Sequence, residues 1–383
     1  MSFRDHAKNP YASLSPAVWR GSTVVFDNFE DFAARKTRQP DGYSYGITGT
    51  PTARGLEKRI AQLEHGAHCI VTPSGQSALM TTVMGFVRAG DHLLISDACY
   101  GGLKSFAQEW LANLGIDVEF YPPTIDAAIE SLIKPNTKMI CLEAPGTVTM
   151  EMQDIDAITS AARRLSVLTM MDNTWASPLN FRPLEHGVDF SIEAATKFFG
   201  GHSDVLMGSI SMNKAHHYAT LRETQSILGQ QASPEDCFLV MRGLDTLSVR
   251  LKEQCANALK IARWLEQQPM VSQVLFPALE SDPGHAIWRE QFQGNGCLFS
   301  MILKPATESS FGAFFNALKL FPIGASWGGT HSLIAYYPAA QQQARAFSPT
   351  AEPIVRLSIG LEDPDALIDD LQQALHRYEQ TLV

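Results

Sequence analysis

The sequence predicts an α/β fold: a mostly parallel sheet of roughly seven strands covered on both faces by helices, followed by a smaller α+β domain. Three features of the 383 residues carry that expectation. Short apolar runs of strand length recur from about residue 69 to 212. Segments with apolar residues at helical spacing fit between them, as crossover connections require. After Arg242-Gly243-Leu244 the pattern changes to one long amphipathic helix and a mixed remainder. The chain therefore divides into an arm (1–48), a large domain (49–243) and a small C-terminal domain (244–383), a division its length readily supports.

The arm lacks a sustained period and carries turn signals at Asn9-Pro10, Ser15-Pro16 and Pro40-Asp41-Gly42. Such a segment cannot fold alone, so it lies over the body or reaches a neighbouring subunit. Leu56, Ile60 and Leu63 then mark a helix, and Cys69-Ile70-Val71 a strand. Ser74-Gly75 opens the next helix, with Leu79, Val83 and Phe86 on one face. Further strands are predicted at His92 to Ser96, Val118 to Tyr121, Met139 to Leu142, Val167 to Met171, Phe190 to Ile192 and Ser209 to Met212, with a helix over Ile155 to Leu165. Leu247, Leu251, Ala258, Ile261 and Leu265 line the long helix, which stops near Pro269. Residues 338–350 read as a polar loop. Asp363-Pro364 starts a last helix with Leu367, Leu371 and Leu375 on one face.

Thirty basic against forty acidic residues leave a net charge of −10, which argues against nucleic-acid or anionic-membrane partners. No apolar run has the length of a membrane span, and the start MSFRDHAKNP does not read as a signal peptide. The six cysteines are scattered without paired spacing, so neither disulfides nor a metal site is expected, and the compartment reads as cytoplasmic.

Chemistry concentrates where strands give way to loops, as ligand sites do in open parallel sheets. In Glu193-Ala-Ala-Thr-Lys197, continuing to Gly208, one lysine is boxed in by apolar and small residues. Burial lowers an ammonium pKa and frees the amine for Schiff-base chemistry with an aldehyde cofactor. A surface lysine at a turn is the plainer alternative. Gly75 and Gln76 begin a helix whose free N–H groups suit a phosphate dianion, with Thr196 and Ser77 as further hydroxyl donors. Asp172 ends an apolar strand and needs a cation, a role a pyridinium nitrogen fills; otherwise it caps the strand end. Tyr100 follows a buried strand and could stack on a ring, or simply sit in a turn. Arg356 is a lone charge in an apolar strand, suited to a substrate carboxylate or to a structural salt bridge.

Taken together, ATKFFGGHSD, DNTWASP, RGLDTLSVRL and RLSIGLED resemble the cysteine/methionine-metabolism family of pyridoxal-phosphate enzymes over nearly the whole chain. The resemblance implies the aspartate-aminotransferase-like (type I) fold and pyridoxal 5′-phosphate as cofactor. It implies that Lys197 carries the cofactor covalently, that Asp172 pairs with the pyridine nitrogen, that Tyr100 stacks on the ring, and that Gly75 and Gln76 hold the phosphate. Arg356 becomes the carboxylate anchor. A homotetramer of tight dimers with shared sites is also implied.

Within the family, Ser326-Trp327-Gly328-Gly329 and Glu143-Ala-Pro-Gly-Thr147 are similar to bacterial cystathionine β-lyases. The γ-enzymes tend to have Leu in place of Trp327 and Asn in place of Gly146. This implies α,β-elimination of L-cystathionine to homocysteine, pyruvate and ammonia. Lys197 would remove the Cα proton, Ser326 and Arg356 would hold the carboxylate, and Trp327 would wall the pocket. Lys197 or Tyr100 would protonate the leaving thiol, and Tyr45 from a neighbour would help recognise the substrate amine. A broader cysteine-S-conjugate lyase uses the same residues; a γ-lyase, a γ-synthase and a non-catalytic binding protein rank below it. One departure stands out. The family's Tyr-x-Arg becomes Tyr45-Gly46-Ile47, a lost phosphate contact worth ~1.5–3 kcal/mol unless another group, for which Arg54 is the candidate, replaces it.

Overall fold

The computed structural model describes residues 14–382. The Asn9-Pro10 turn signal and the segment MSFRDHAKNP lie outside the described residues. A seven-stranded sheet is formed by β1 (His68–Thr72), β2 (His92–Ser96), β3 (Asp117–Tyr121), β4 (Thr137–Glu143), β5 (Leu168–Asp172), β6 (Phe190–Glu193) and β7 (Gly208–Met212). Their spatial order is β1-β7-β6-β5-β4-β2-β3. Only β7 runs against its neighbours, β1 and β6; the remaining pairs are parallel. All seven predicted strands are found. Successive residues supply opposite faces: Cys69 and Val71 join one apolar cluster while Ile70 joins the other, and Ile140 and Cys141 divide in the same way. Covering both faces is what makes these strands read as unbroken apolar runs.

The helix Gly75–Phe86 is capped by Ser74, whose side chain accepts from the Ser77 amide at 3.0 Å. The expected helix at 155 is found at Ile155–Arg164, and the long one spans Leu247–Leu265, with its five predicted apolar positions buried. This long helix ties two regions together. Arg250 Nη2 donates to the Phe198 carbonyl at 2.9 Å, and Gln254 Nε2 donates to the Gly329 carbonyl at 2.7 Å.

A second sheet contains β8 (Val271–Leu275), β9 (Leu298–Leu303), β10 (Leu333–Tyr337) and β11 (Ile354–Ser358), all antiparallel, in the order β10-β11-β9-β8. The final helix, Pro364–Glu379, starts at the Asp363 cap and buries Leu367, Leu371 and Leu375. Residues 338–350 are less loop-like than expected. Pro338 leads into a short helix, Ala339–Gln343, built from alanine and glutamine, which are good helix formers. The described part of the arm holds a short helix, Phe29–Ala33, and tight turns. It exposes Trp19, Val25, Phe29 and Tyr45.

Candidate active site

Three strands of the large sheet end side by side in carboxylates: Glu143 on β4, Asp172 on β5 and Glu193 on β6. Glu143 and Asp172 are register partners. Asp172 Oδ1 accepts from the Thr174 amide at 3.1 Å and the Thr174 hydroxyl at 2.5 Å. The Thr174 oxygen in turn accepts from the Ala194 amide at 2.8 Å. One threonine thus fixes the carboxylate and the segment leading to Lys197. Among the described residues no donor is found for Asp172 Oδ2. Burial raises the Asp172 pKa, opposed by the two Thr174 hydrogen bonds and the Lys197 charge. A cationic ring nitrogen at the free oxygen would remove that penalty.

Lys197 lies in the turn after β6, where its amide donates to the Ala194 carbonyl at 2.9 Å. Its Nζ donates to Ser326 Oγ at 2.9 Å and sits 5.3 Å from the centre of the Trp327 ring. Burial first, then the nearby Arg356 charge, lower its pKa to about 8. Gly328 has a left-handed φ of +79°, and a side chain there would press on Lys197, the Cβ meeting Lys197 Cβ at 3.1 Å. The Trp327 ring in turn meets Phe198 edge-on at 5.5 Å.

Arg356 on β11 is 4 % exposed. Its Nη1 and Nη2 donate to the carbonyls of Thr147, at 3.2 Å, and Ala325, at 2.8 Å. Its guanidinium carbon lies 4.9 Å from the Tyr337 ring centre. No carboxylate among the described residues lies within salt-bridge distance, so the salt-bridge alternative for Arg356 is not realised. A desolvated guanidinium without an anion is costly, and an incoming carboxylate would relieve that cost.

The phosphate-site residues are only partly as expected. Gly75 and Gln76 occupy the first helical positions, where N–H groups have no intrahelical acceptor. A Cβ on Gly75 would meet Ala194 Cβ at 2.7 Å, so the helix start packs directly against the Lys197 segment. Thr196, however, presents no free hydroxyl: it donates to the Met207 carbonyl at 3.1 Å and accepts from the Met207 amide at 2.9 Å. The Ser77 hydroxyl likewise donates to Gln230 Oε1 at 2.6 Å. Arg54, the candidate to make up for the arginine lost at Ile47, donates to Glu57 at 2.9 Å and to the Thr48 carbonyl at 2.5 Å.

Tyr100 is 42 % exposed, and its amide donates to Glu143 Oε2 at 2.6 Å. Its ring and the Gln76 side chain both border Gly102, where a Cβ would lie 2.5 Å from Tyr100 Cε1 and 2.8 Å from Gln76 Oε1. Tyr45 stands apart. It lines a cavity of about 360 Å³ with Arg20, Ile47, Gln231 and Glu235, a lining that includes none of Lys197, Asp172 and Arg356. Sequence reasoning missed Thr174 and Tyr337. The first was legible as the third residue of Asp172-Asn173-Thr174; the second is one aromatic among several in an apolar strand. No group of His, Cys, Asp and Glu suited to a metal ion occurs among the described residues. No helix there is long and apolar enough to cross a membrane.

A lysine with a lowered pKa, a half-buried carboxylate with one free oxygen, helix-start amides and an unpaired arginine fit a phosphorylated aromatic aldehyde. Comparison with known proteins agrees. The family model described as Cys/Met metabolism PLP-dependent enzyme matches residues 3–376. A putative cystathionine beta-lyase from Rhizobium johnstonii is 43% identical over 94% of this chain and 90% of its own length. The cystathionine beta-lyase of Salmonella typhimurium is 38% identical over 97% and 95%. The solved cystathionine gamma synthase of Xanthomonas oryzae pv. oryzae, in complex with aminoacrylate and cysteine, superposes with a TM-score of 0.90 at 32% identity, covering 98% of this chain and 96% of that one. The chain is a member of the pyridoxal-phosphate-dependent enzymes of cysteine and methionine metabolism, with the fold and cofactor of that family.

Proposed function

We propose that the chain is a carbon–sulfur β-lyase that cleaves L-cystathionine to homocysteine, pyruvate and ammonia. The observation that carries this reading is the buried, carboxylate-free Arg356 beside the Lys197 amine. Together they offer an anchor for an α-carboxylate within reach of a base for its Cα proton. Arg356 and Ser326 bind the carboxylate and orient the Cα–H bond. Pyridoxal 5′-phosphate, when bound, supplies the electron sink, with Asp172 keeping its ring nitrogen protonated and Gly75 and Gln76 holding its phosphate. Lys197 Nζ takes the Cα proton, and its lowered pKa suits it to that task near neutral pH. The leaving sulfur receives a proton from Lys197 Nζ or Tyr100 Oη. Trp327 walls the side-chain pocket.

Loss at Cβ is favoured over Cγ by Trp327 and Gly146, the two positions that resemble β-lyases. Gly146 also has a packing reason in this chain: a Cβ there would sit 2.5 Å from Ala98 Cβ and 2.9 Å from Glu151 Oε2, so a larger residue demands a different turn. A broad cysteine-S-conjugate lyase is the second reading, since nothing in Arg356, Lys197 or Ser326 selects the group beyond sulfur. The same reading has Tyr45 serving a neighbouring subunit of a cytoplasmic homotetramer; its support is the exposed apolar arm.

The test is a panel of cystathionine, cystine and S-alkylcysteines with keto acid and thiol both quantified. Pyruvate with homocysteine, and the highest kcat/KM for cystathionine, is the expected outcome. α-Ketobutyrate would move the activity to the γ-position, and equal rates across the panel would favour the broader lyase.

A further inference from the structure

We propose that Arg345, in the connection between β10 and β11, is a positioning residue that sets the carboxylate anchor Arg356. This inference rests on the reading of Arg356 given above. Arg345 is a nearly buried side chain in a stretch whose composition suggests only solvated loop. Its guanidinium ties this connection to two other segments through three partners. Nε faces Asp97 Oδ2 at 3.2 Å, Nη2 faces Glu151 Oε1 at 2.9 Å, and Nη1 donates to the Thr149 hydroxyl. Asp97, 2 % exposed, also accepts from the Phe347 amide at 3.1 Å and pairs with Lys104 at 2.6 Å. Burial alone would raise the Asp97 pKa; Lys104, the Phe347 amide and Arg345 outweigh it and hold the carboxyl below the ordinary aspartate range.

The consequence for the site follows from one chain of contacts. Thr149 and Glu151 belong to the turn after β4, which also contains Gly146 and Thr147. The Gly146 amide donates to the Glu151 carbonyl at 3.0 Å, and the Thr147 amide donates to the Ala98 carbonyl at 3.0 Å. The Thr147 carbonyl then accepts from Arg356 Nη1 at 3.2 Å. Arg345 therefore grips both segments that hold this turn, 97–100 and 149–151, and the turn holds the anchor. It also pins the connection between Tyr337, whose ring supports Arg356, and β11, which carries it. A forked cation with three partners on two separate segments fixes relative position in a way a point charge does not.

The experiment compares the holoenzyme of the wild type with R345A and R345K. Binding of L-alanine and of ethylamine, which has the same carbon frame without the carboxylate, is read from the cofactor's visible absorbance. The expected result for R345A is L-alanine binding weakened about tenfold or more with ethylamine binding unchanged, as loss of a charge-assisted contact to the carboxylate predicts. R345K is expected to recover part of the loss. In turnover, KM for the sulfur amino acid should rise while kcat changes by less than about threefold. Equal weakening of both ligands, no change in either, or a fall in kcat at constant KM would overturn the proposal. Should R345A fail to fold, E151Q, which removes one of the acids Arg345 grips, is expected to give a smaller loss confined to L-alanine. The alanine–ethylamine contrast needs no lyase activity, so a wild type inactive on every sulfur amino acid would sink the lyase reading alone.

Discussion

Lys197 shows how a side chain's surroundings decide its chemistry. Its amine hydrogen-bonds the neutral Ser326 hydroxyl, while Arg356 disfavours its charge and half-buried Asp172 favours it. With a pKa near 8, the cofactor-free protein should capture pyridoxal phosphate faster as pH rises from 6 towards 8, then level off. Stopped-flow absorbance on the apo-protein checks this, and K197R should show no such capture at any pH. Lys197 and Asp172 were legible in the sequence because each is an ionisable group stranded among apolar or small residues. Tyr337 was not, and Thr174 was readable only as a polar neighbour of Asp172. Their roles depend on what a fold brings alongside, an arginine from the neighbouring strand and a backbone amide twenty residues away. Thr196 read as a further hydroxyl donor to the phosphate; in the folded chain its hydroxyl donates to the Met207 carbonyl.

At the scale of elements, all seven large-sheet strands were readable because helices on both sides force them to be apolar throughout. The short helix at Ala339–Gln343 and the Arg345 contacts that follow were hidden, since a buried ion cluster and a solvated loop have the same composition. The strand ends carry another feature, a row of buried acids. Glu64, at the C-terminus of the helix Pro51–Leu63, accepts from the Ser191 hydroxyl at 3.1 Å on both oxygens and faces Glu193 electrostatically. Burial raises its pKa to about 8, against 4.5 for an ordinary glutamate. The folded chain therefore holds a proton that the unfolded chain releases between those values. Its stabilising effect is complete below pH 4.5 and fades as pH rises to about 8. Urea unfolding should accordingly show stability falling with pH over this window, by at most ~1.4 kcal/mol per pH unit for one group. E64Q, which keeps the shape and cannot ionise, is expected to flatten that slope by one proton's worth.

At the scale of the whole molecule, the arm is the part that a single chain leaves unexplained. Tyr45 is 54 % exposed and lines a cavity whose lining does not include Lys197, while Trp19, Val25 and Phe29 face solvent. If Tyr45 completes a neighbour's site, two inactive proteins should repair each other. Refolding Y45A together with K197A should restore about a quarter of wild-type activity, since half of randomly formed dimers are mixed and each has one intact site. Activity no greater than that of the separate variants would show that each chain works with its own residues. The two hydrogen bonds that hold Arg356 come from separate segments, one from the turn that ends a strand of the large sheet and one from the approach to the small sheet. On the proposed reading, a ligand's carboxylate docking on that guanidinium becomes a keystone in the seam between the two sheets, so recognising the amino acid and stiffening the joint are a single event.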